Sequence, residues 1–291
     1  MNVVINLDKP KGISSQQAVS RVKRIFGLKK AGHAGTLDPI ATGVLLVCTG
    51  EATKITRFLS DLDKEYLAVM KLGEKTDTYD AEGTVTERIE GFSLQRDEVE
   101  KAAKMFTGPI EQSPPMFSAV KIKGRPLYKL ARKGITVERA KRPVNVRSIE
   151  VTAFEPPFVE LRISCSKGTY VRSLCHDMGE VLGVGAHIVD LRRTRIGDFA
   201  AEDSVTMDAL SGAVPNCAPK SYSVSEALSH LVEIMLTHTD FARARQGLPF
   251  RFRGANILPG EFVRIKDPTC SLFAIGKAVD SSIIIERMLH I

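Results

Sequence analysis

Gly32-His33-Ala34-Gly35-Thr36-Leu37-Asp38-Pro39 is a poor helix and a poor strand. Its glycines and proline favour a tight turn over regular structure. Glycine allows sharp backbone paths, so this loop can present the Asp38 carboxylate into a cleft. A second reading stays open from the local pattern alone, in which Asp38 binds its own turn amides. His33 lies five residues before it, a loose spacing for an acid–base couple. A histidine that only packs or stacks fits the same spacing.

Outward from this loop the chain alternates between strand and helix patterns. Val3 to Leu7 reads as a short apolar strand, ended by Asp8-Lys9-Pro10-Lys11-Gly12. Ser14 or Ser15 then caps a helix whose Ala18, Val22 and Ile25 recur at helical spacing, with Arg21, Lys23 and Arg24 on other faces. Val44 to Cys48 and Glu65 to Leu72 read as strands, and Tyr66 on the second is most simply a core residue. Gly73 to Gly83 looks like a polar loop. Ser93 is placed to cap a helix from Leu94 to Phe106. Val144 to Phe154 and Val159 to Cys165 are strand candidates. A helix follows from about Tyr170 to Leu182, with Arg172 off its apolar face. Residues 223–236 read as an amphipathic helix. Beyond His238 the pattern turns to short strands, broken at Gly247, Gly254, Gly260 and Gly276. The expectation is an α+β fold, a central mainly antiparallel sheet flanked by helices, with a small β-rich C-terminal domain. The boundary falls at 238, giving domains 1–238 and 239–291.

Charge is unevenly placed along the 291 residues. Residues 1–60 carry net +6, 61–113 net −6, 114–142 net +8 and the remainder net −1. The densest block holds Lys121, Lys123, Arg125, Lys129, Arg132, Lys133, Arg139, Lys141 and Arg142. Pro114, Phe117, Pro126, Leu127 and Tyr128 interleave with it, which suits an ordered flap that grips a phosphate backbone. A solvated surface is the plainer alternative.

Several chemistries lack their motifs. There is no phosphate-binding Gly-x-x-x-x-Gly-Lys, no dinucleotide Gly-x-Gly-x-x-Gly, no His-Glu-x-x-His and no Gly-x-Ser-x-Gly. The five cysteines are odd in number and widely spaced, which argues against a disulfide framework or structural zinc. No run approaches a membrane span. The first residues lack the basic-then-apolar plan of a secretory signal, so the cytoplasm is the expected location.

The motifs also carry a resemblance. Gly32 to Pro39, continued by Ala41-Thr42-Gly43-Val44-Leu45, closely resembles the catalytic motif of the TruB family of tRNA pseudouridine synthases. Asp8 to Gly12 with Ser14-Ser15, Lys64-Glu65-Tyr66, Thr76-Asp77-Thr78 with Asp80 to Gly83, Ser113-Pro114-Pro115 with Phe117 to Lys121, and Ser166 to Leu174 are similar to further blocks of that family, in order. The resemblance covers about residues 1–200 and implies a pseudouridine synthase fold. It implies isomerisation of uridine to pseudouridine at position 55 in the T arm of tRNA, with no metal, nucleotide or redox cofactor. Asp38 would be the essential carboxylate, Tyr66 would pack on the flipped base, and Arg172 would pair with Asp38 and keep it ionised. His33 would contact the RNA, and Thr36 and Leu37 would shape the loop. Lys9, Lys64, Tyr170, Lys121, Lys129, Arg132 and Lys133 would bind substrate. The flap, about 114–142, would close over the T loop. The last 50 or so residues resemble a small RNA-binding domain of PUA type. The family's stand-alone members imply a monomer with tRNA as partner, no obligate protein partner and no membrane.

Overall fold

The computed structural model describes residues 1–122, 124–212, 220–251 and 257–290. Lys123, Cys217 and Gly254, which entered the sequence reading, lie outside them. Eleven strands form one sheet. Its main path runs Val205–Thr206, Val3–Lys9, Thr42–Thr49, Ala186–Ile196, Lys64–Leu72, Phe158–Cys165, Arg142–Glu155 and Gly108–Gln112. Ala31–Ala34, Phe199–Ala200 and Tyr222–Ser223 pair along its flanks. All neighbours are antiparallel except Val3–Lys9 with Val205–Thr206 and Thr42–Thr49 with Ala186–Ile196. The fold is the expected α+β arrangement with a mainly antiparallel sheet.

Period-two burial decides which face does what. Along Lys64–Leu72, the side chains of Tyr66, Ala68, Met70 and Leu72 are buried, while Leu67 between them is exposed. The buried set packs with the apolar stripes of three helices, Ser15–Ile25, Arg96–Met105 and Val171–Val181. Elsewhere Val4, Val44, Leu46 and Cys48 face a second core that includes Phe58, Val224 and Leu228. Ser14 caps the first of the three helices in a reciprocal box with Gln17, which frees Ser15 to turn inward. The second starts two residues later than expected, because Gln95 with Glu98 forms the box and Ser93 does not.

Two elements depart from the sequence reading. Residues 223–236 do not form one helix. A single turn, Val224–Ala227, is followed by the strand Val232–Met235, which pairs in parallel with Phe262–Lys266. Ile234 and Leu236 are buried while Met235 between them is exposed, an alternation too short to outweigh the helical pattern before it. The small sheet therefore recruits residues on the N-terminal side of 238. Its order is Val232–Met235, Phe262–Lys266, Leu272–Val279, Ser282–Met288 and Phe250–Arg251. It docks on the large unit through Ile275, Leu289 and an edge-on contact of Phe262 with Phe58, centroids 5.0 Å apart.

The second departure is Ala186–Ile196, a central strand that hydrophobic patterning missed. It lies parallel to Thr42–Thr49 at Arg193 and Gly43. A Cβ on Gly43, whose φ is +96°, would stand 2.2 Å from the Arg193 carbonyl oxygen, so only glycine allows this approach.

Between Gln112 and Arg142 the chain leaves the sheet as the flap. It holds a hairpin, Lys121–Ile122 with Arg125–Pro126, and a short helix, Leu127–Ala131. Leu127 is fully buried, and the Leu127 and Tyr128 N–H groups donate to Val120 and Ser118 carbonyls at 2.8 and 3.0 Å. Among the described residues no helix is long and apolar enough to cross a membrane.

Candidate active site

The Asp38 loop joins Ala31–Ala34 to Thr42–Thr49 and is held from four sides. The Leu37 N–H donates to the Ser15 hydroxyl at 2.8 Å, and that hydroxyl donates to the Leu37 carbonyl at 2.9 Å. Gly12 N–H donates to the Pro39 carbonyl at 2.8 Å. The Lys9 ammonium bonds the Pro10 and Ile13 carbonyls and reaches Pro39. Arg193 donates from Nε to the Val44 carbonyl at 2.7 Å, and from its terminal nitrogens to Gly35 and Thr36 carbonyls. Residues far apart in sequence thus fix one short loop. Such support is what holds a reacting group within the tolerance that chemistry requires.

The Asp38 carboxylate pairs with Arg172, Nε to Oδ2 at 2.9 Å. This decides between the two local readings, since the carboxylate engages a distant arginine. Arg172 is buried. Its Nη1 reaches Asp80 Oδ2 at 3.0 Å and the Thr78 carbonyl at 2.9 Å, and Nη2 donates to the Phe117 carbonyl at 2.8 Å. One guanidinium therefore serves two carboxylates. Burial pushes the Asp38 carboxyl above its ordinary value, and Asp80 adds to this; Arg172 pulls the other way. Arg172 pairs with Asp38 as expected and favours its ionised form, while burial acts against it. Glu82, also near, is raised by burial and by the same two aspartates.

Two compartments meet at Asp38. The inner one, about 310 Å³, is lined by Gly35, Lys64, Tyr66, Thr169, Tyr170, Leu191 and Arg193. The outer one, about 490 Å³, is lined by Ser14, Gln16, His33, Pro39, Glu82, Tyr128 and Arg132. Thr36, Leu37, Ser118, Ala119 and Arg172 border both. Tyr66 stands opposite Arg193 across the strand pair. Burial raises its phenol above the ordinary value, with the nearby guanidinium opposing, so the hydroxyl keeps its proton at neutral pH. Burial likewise raises Tyr170, whose amide is clamped by Gln112 at 2.7 Å. His33 is half-buried, and burial lowers its imidazole, with Arg193 adding to the effect, so it is neutral at pH 7.

The cationic residues separate into two groups. Lys9 is fully buried and Lys64 nearly so, each with its ammonium against backbone carbonyls. Burial pulls both down to about 8. Lys9 fixes the Asp38 loop with its ammonium turned to carbonyls, so it does not face an RNA backbone as arranged here, whereas Lys64 lines the inner compartment. On the flap, Arg132 reaches the outer compartment and lies over the Tyr128 ring at 5.6 Å. Lys121, Lys129 and Lys133 are exposed and outside the lining.

Sequence reading missed Arg193, Asp80 and Ser15 as builders of this site. Asp80 was one acid in a polar loop, yet it is buried and also accepts from Thr78 at 2.7 Å and the Glu82 N–H at 3.1 Å. A signal was present in its spacing beside Asp77 and Glu82, without anything to choose among them.

Comparison with known proteins agrees with this geometry. The TruB family pseudouridylate synthase N-terminal domain matches residues 23–171, and the tRNA pseudouridylate synthase B C-terminal domain matches residues 172–234. A tRNA pseudouridine synthase B of Pseudomonas aeruginosa (strain UCBPP-PA14) is 42% identical, over 98% of this chain and 95% of its own. Its namesake in Clostridium tetani (strain Massachusetts / E88) is 49% identical over 72% of this chain and 73% of its own. A chain of the archaeal box H/ACA sRNP Nop10-Cbf5 complex superposes with a TM-score of 0.74 at 29% identity, covering 99% of this chain and 86% of that one. With a family domain spanning half its length and relatives matched nearly end to end, the chain belongs to the TruB family of pseudouridylate synthases.

Proposed function

We propose that this protein isomerises uridine to pseudouridine at position 55 in the T arm of tRNA, with Asp38 as the essential carboxylate. The observation that carries this reading is the Asp38–Arg172 ion pair where the two compartments meet, with Tyr66 lining the inner one. A uridine must leave its stack to be reached, and about 310 Å³ is at the small end of ligand pockets, suited to one flipped nucleoside. Asp38 acts at the ribose while the N1–C1′ bond breaks. The uracil turns, C5 joins C1′, and the C5 proton leaves as N1 takes one up. Tyr66 packs on the base, Tyr170 and Leu37 shape its pocket, and His33 and Thr36 meet the RNA beside it. No cofactor is called for.

The flap and the first helix supply two cationic surfaces for an RNA backbone. Lys121, Lys129, Arg132 and Lys133 are exposed on the first, and Arg21 and Arg24 on the second, with Lys29 and Lys30 exposed just past its end. RNA helices are recognised by shape and phosphate in this way. Replacing Lys129, Arg132 and Lys133 together by glutamine should weaken tRNA binding and flatten the slope of log K against log salt by roughly 2. An unchanged slope, measured by fluorescence anisotropy across a salt series, would remove the flap from the RNA footprint.

The small sheet serves as a PUA-like RNA-binding domain. It begins near Val232 rather than 239, because Val232–Met235 is one of its strands. The enzyme acts as a cytoplasmic monomer without an obligate protein partner. Its identity to tRNA pseudouridine synthase B proteins exceeds that to the H/ACA component. The deciding experiment is tritium release from C5-labelled uridine in an unmodified T-arm hairpin. Release with RNA mass otherwise unchanged supports isomerisation. Release of free uracil would instead make the protein an RNA glycosylase, and tight binding with no release would make it a binding protein.

A further inference from the structure

Arg172 and His176 lie one turn apart on the helix Val171–Val181 and so share a side of it. Both meet the loop that carries Asp80. The Tyr79 ring lies flat on the His176 imidazole, centroids 3.9 Å apart and planes within 11°. The residues on either side of Tyr79 supply the two acceptors for Arg172 Nη1, the Thr78 carbonyl and the Asp80 carboxylate. Tyr79 has φ +64°, a conformation that bulky residues rarely hold. Its backbone is pinned by Ile188 N–H on its carbonyl at 3.1 Å. His176 Nδ1 is buried without a hydrogen-bond partner. Neither ring lines either compartment.

We propose that the Tyr79–His176 stack is a positioning device that holds the Asp80 loop against the helix and so fixes Arg172 for Asp38. Polar bonding does not explain why His176 is there, and the ring has its face on Tyr79. If the loop relaxes, Arg172 loses Thr78 and Asp80 together, and its contact with Asp38 loosens. Misplacement of a reacting group by about 1 Å costs up to about 100-fold in rate. The proposal rests on the functional reading above only where turnover is the readout.

Three variants test it: His176→Ala, His176→Phe and Tyr79→Gly. His176→Ala should slow single-turnover tritium release roughly tenfold, with tRNA affinity within about twofold of wild type. His176→Phe keeps a flat ring and should return to within about threefold. Tyr79→Gly relieves the left-handed backbone but removes the ring, so it should fold as stably as wild type yet be as slow as His176→Ala. A readout independent of turnover is hydrogen exchange of the Arg172 Nε–H, followed by ¹⁵N-arginine NMR. It should quicken in His176→Ala and Tyr79→Gly and recover in His176→Phe. Unchanged rates and exchange in His176→Ala, or a Phe variant as impaired as Ala, overturn the proposal. Should wild type release no tritium at all, the functional reading fails by itself, and the exchange data still decide the role of the stack.

Discussion

Replacing Asp38 with asparagine is expected to abolish tritium release while leaving tRNA binding nearly intact. The loss should be on the order of 10⁴-fold, the scale seen when a reacting group that works as part of a unit is removed. Binding should survive because the cationic surfaces lie elsewhere, on the flap and the first helix. Equal loss of binding and turnover would count against a chemical role. The same substitution has an opposite effect on stability. Asp38 is held above its ordinary value of 3.8, chiefly by burial. The unfolded chain therefore releases this proton at a lower pH than the folded one. Folding loses stability as pH rises from 3.8 through the folded value, and the penalty persists above it. An amide carries no such penalty. The asparagine variant should melt higher than wild type at neutral pH, and the gain should vanish at about pH 3. The acid limb of the wild-type rate profile should accordingly lie above 3.8. A variant less stable than wild type at neutral pH would show that the Arg172 pair outweighs burial.

The second large effect is expected at Arg193. Its side chain is the largest among the fully buried ones of the described residues, and it donates to three backbone carbonyls. Arg193→Met keeps the stem but removes every donor. A buried acceptor left alone costs about 1–3 kcal/mol, so a loss of about 3–5 kcal/mol is expected by urea denaturation. The carbonyls of Gly35 and Thr36 belong to the Asp38 loop, so turnover should fall as well. Arg193→Lys should recover little of either, since one ammonium cannot span three acceptors held in fork geometry. The Lys64 ammonium, held at about 8 partly by this guanidinium, should titrate higher in Arg193→Met. A stability loss under about 1 kcal/mol would sink the argument.

Much of the fold was legible because short-range rules were obeyed. The helices near Ser15, Arg96 and Val171 follow apolar spacing, and Lys64–Leu72 alternates as a half-buried strand should. Asp38 was legible because glycines and a proline surround it. Ala186–Ile196 was not, because Arg192, Arg193 and Arg195 interrupt any apolar period, and one of them fills a core position. The burial of Arg172 was not legible from its helix, because its acceptors come from residues near 38, 80 and 117, which local spacing does not reveal. The family resemblance implies substrate binding by Lys9 and Lys64, and local spacing gives no sign of how deeply they sit. Only tertiary structure shows the carbonyls that surround them.

The position of Ala186–Ile196 between Thr42–Thr49 and Lys64–Leu72 has a consequence for synthesis on the ribosome. Until this strand emerges, the nascent chain holds two sheet halves whose facing edges are unpaired. Such edges invite intermolecular pairing, and joining them late requires closing a long loop. The Asp38 loop is also without Arg193 until then. A growing chain cannot assemble this site piecemeal, and competence arrives in one step when the central strand inserts.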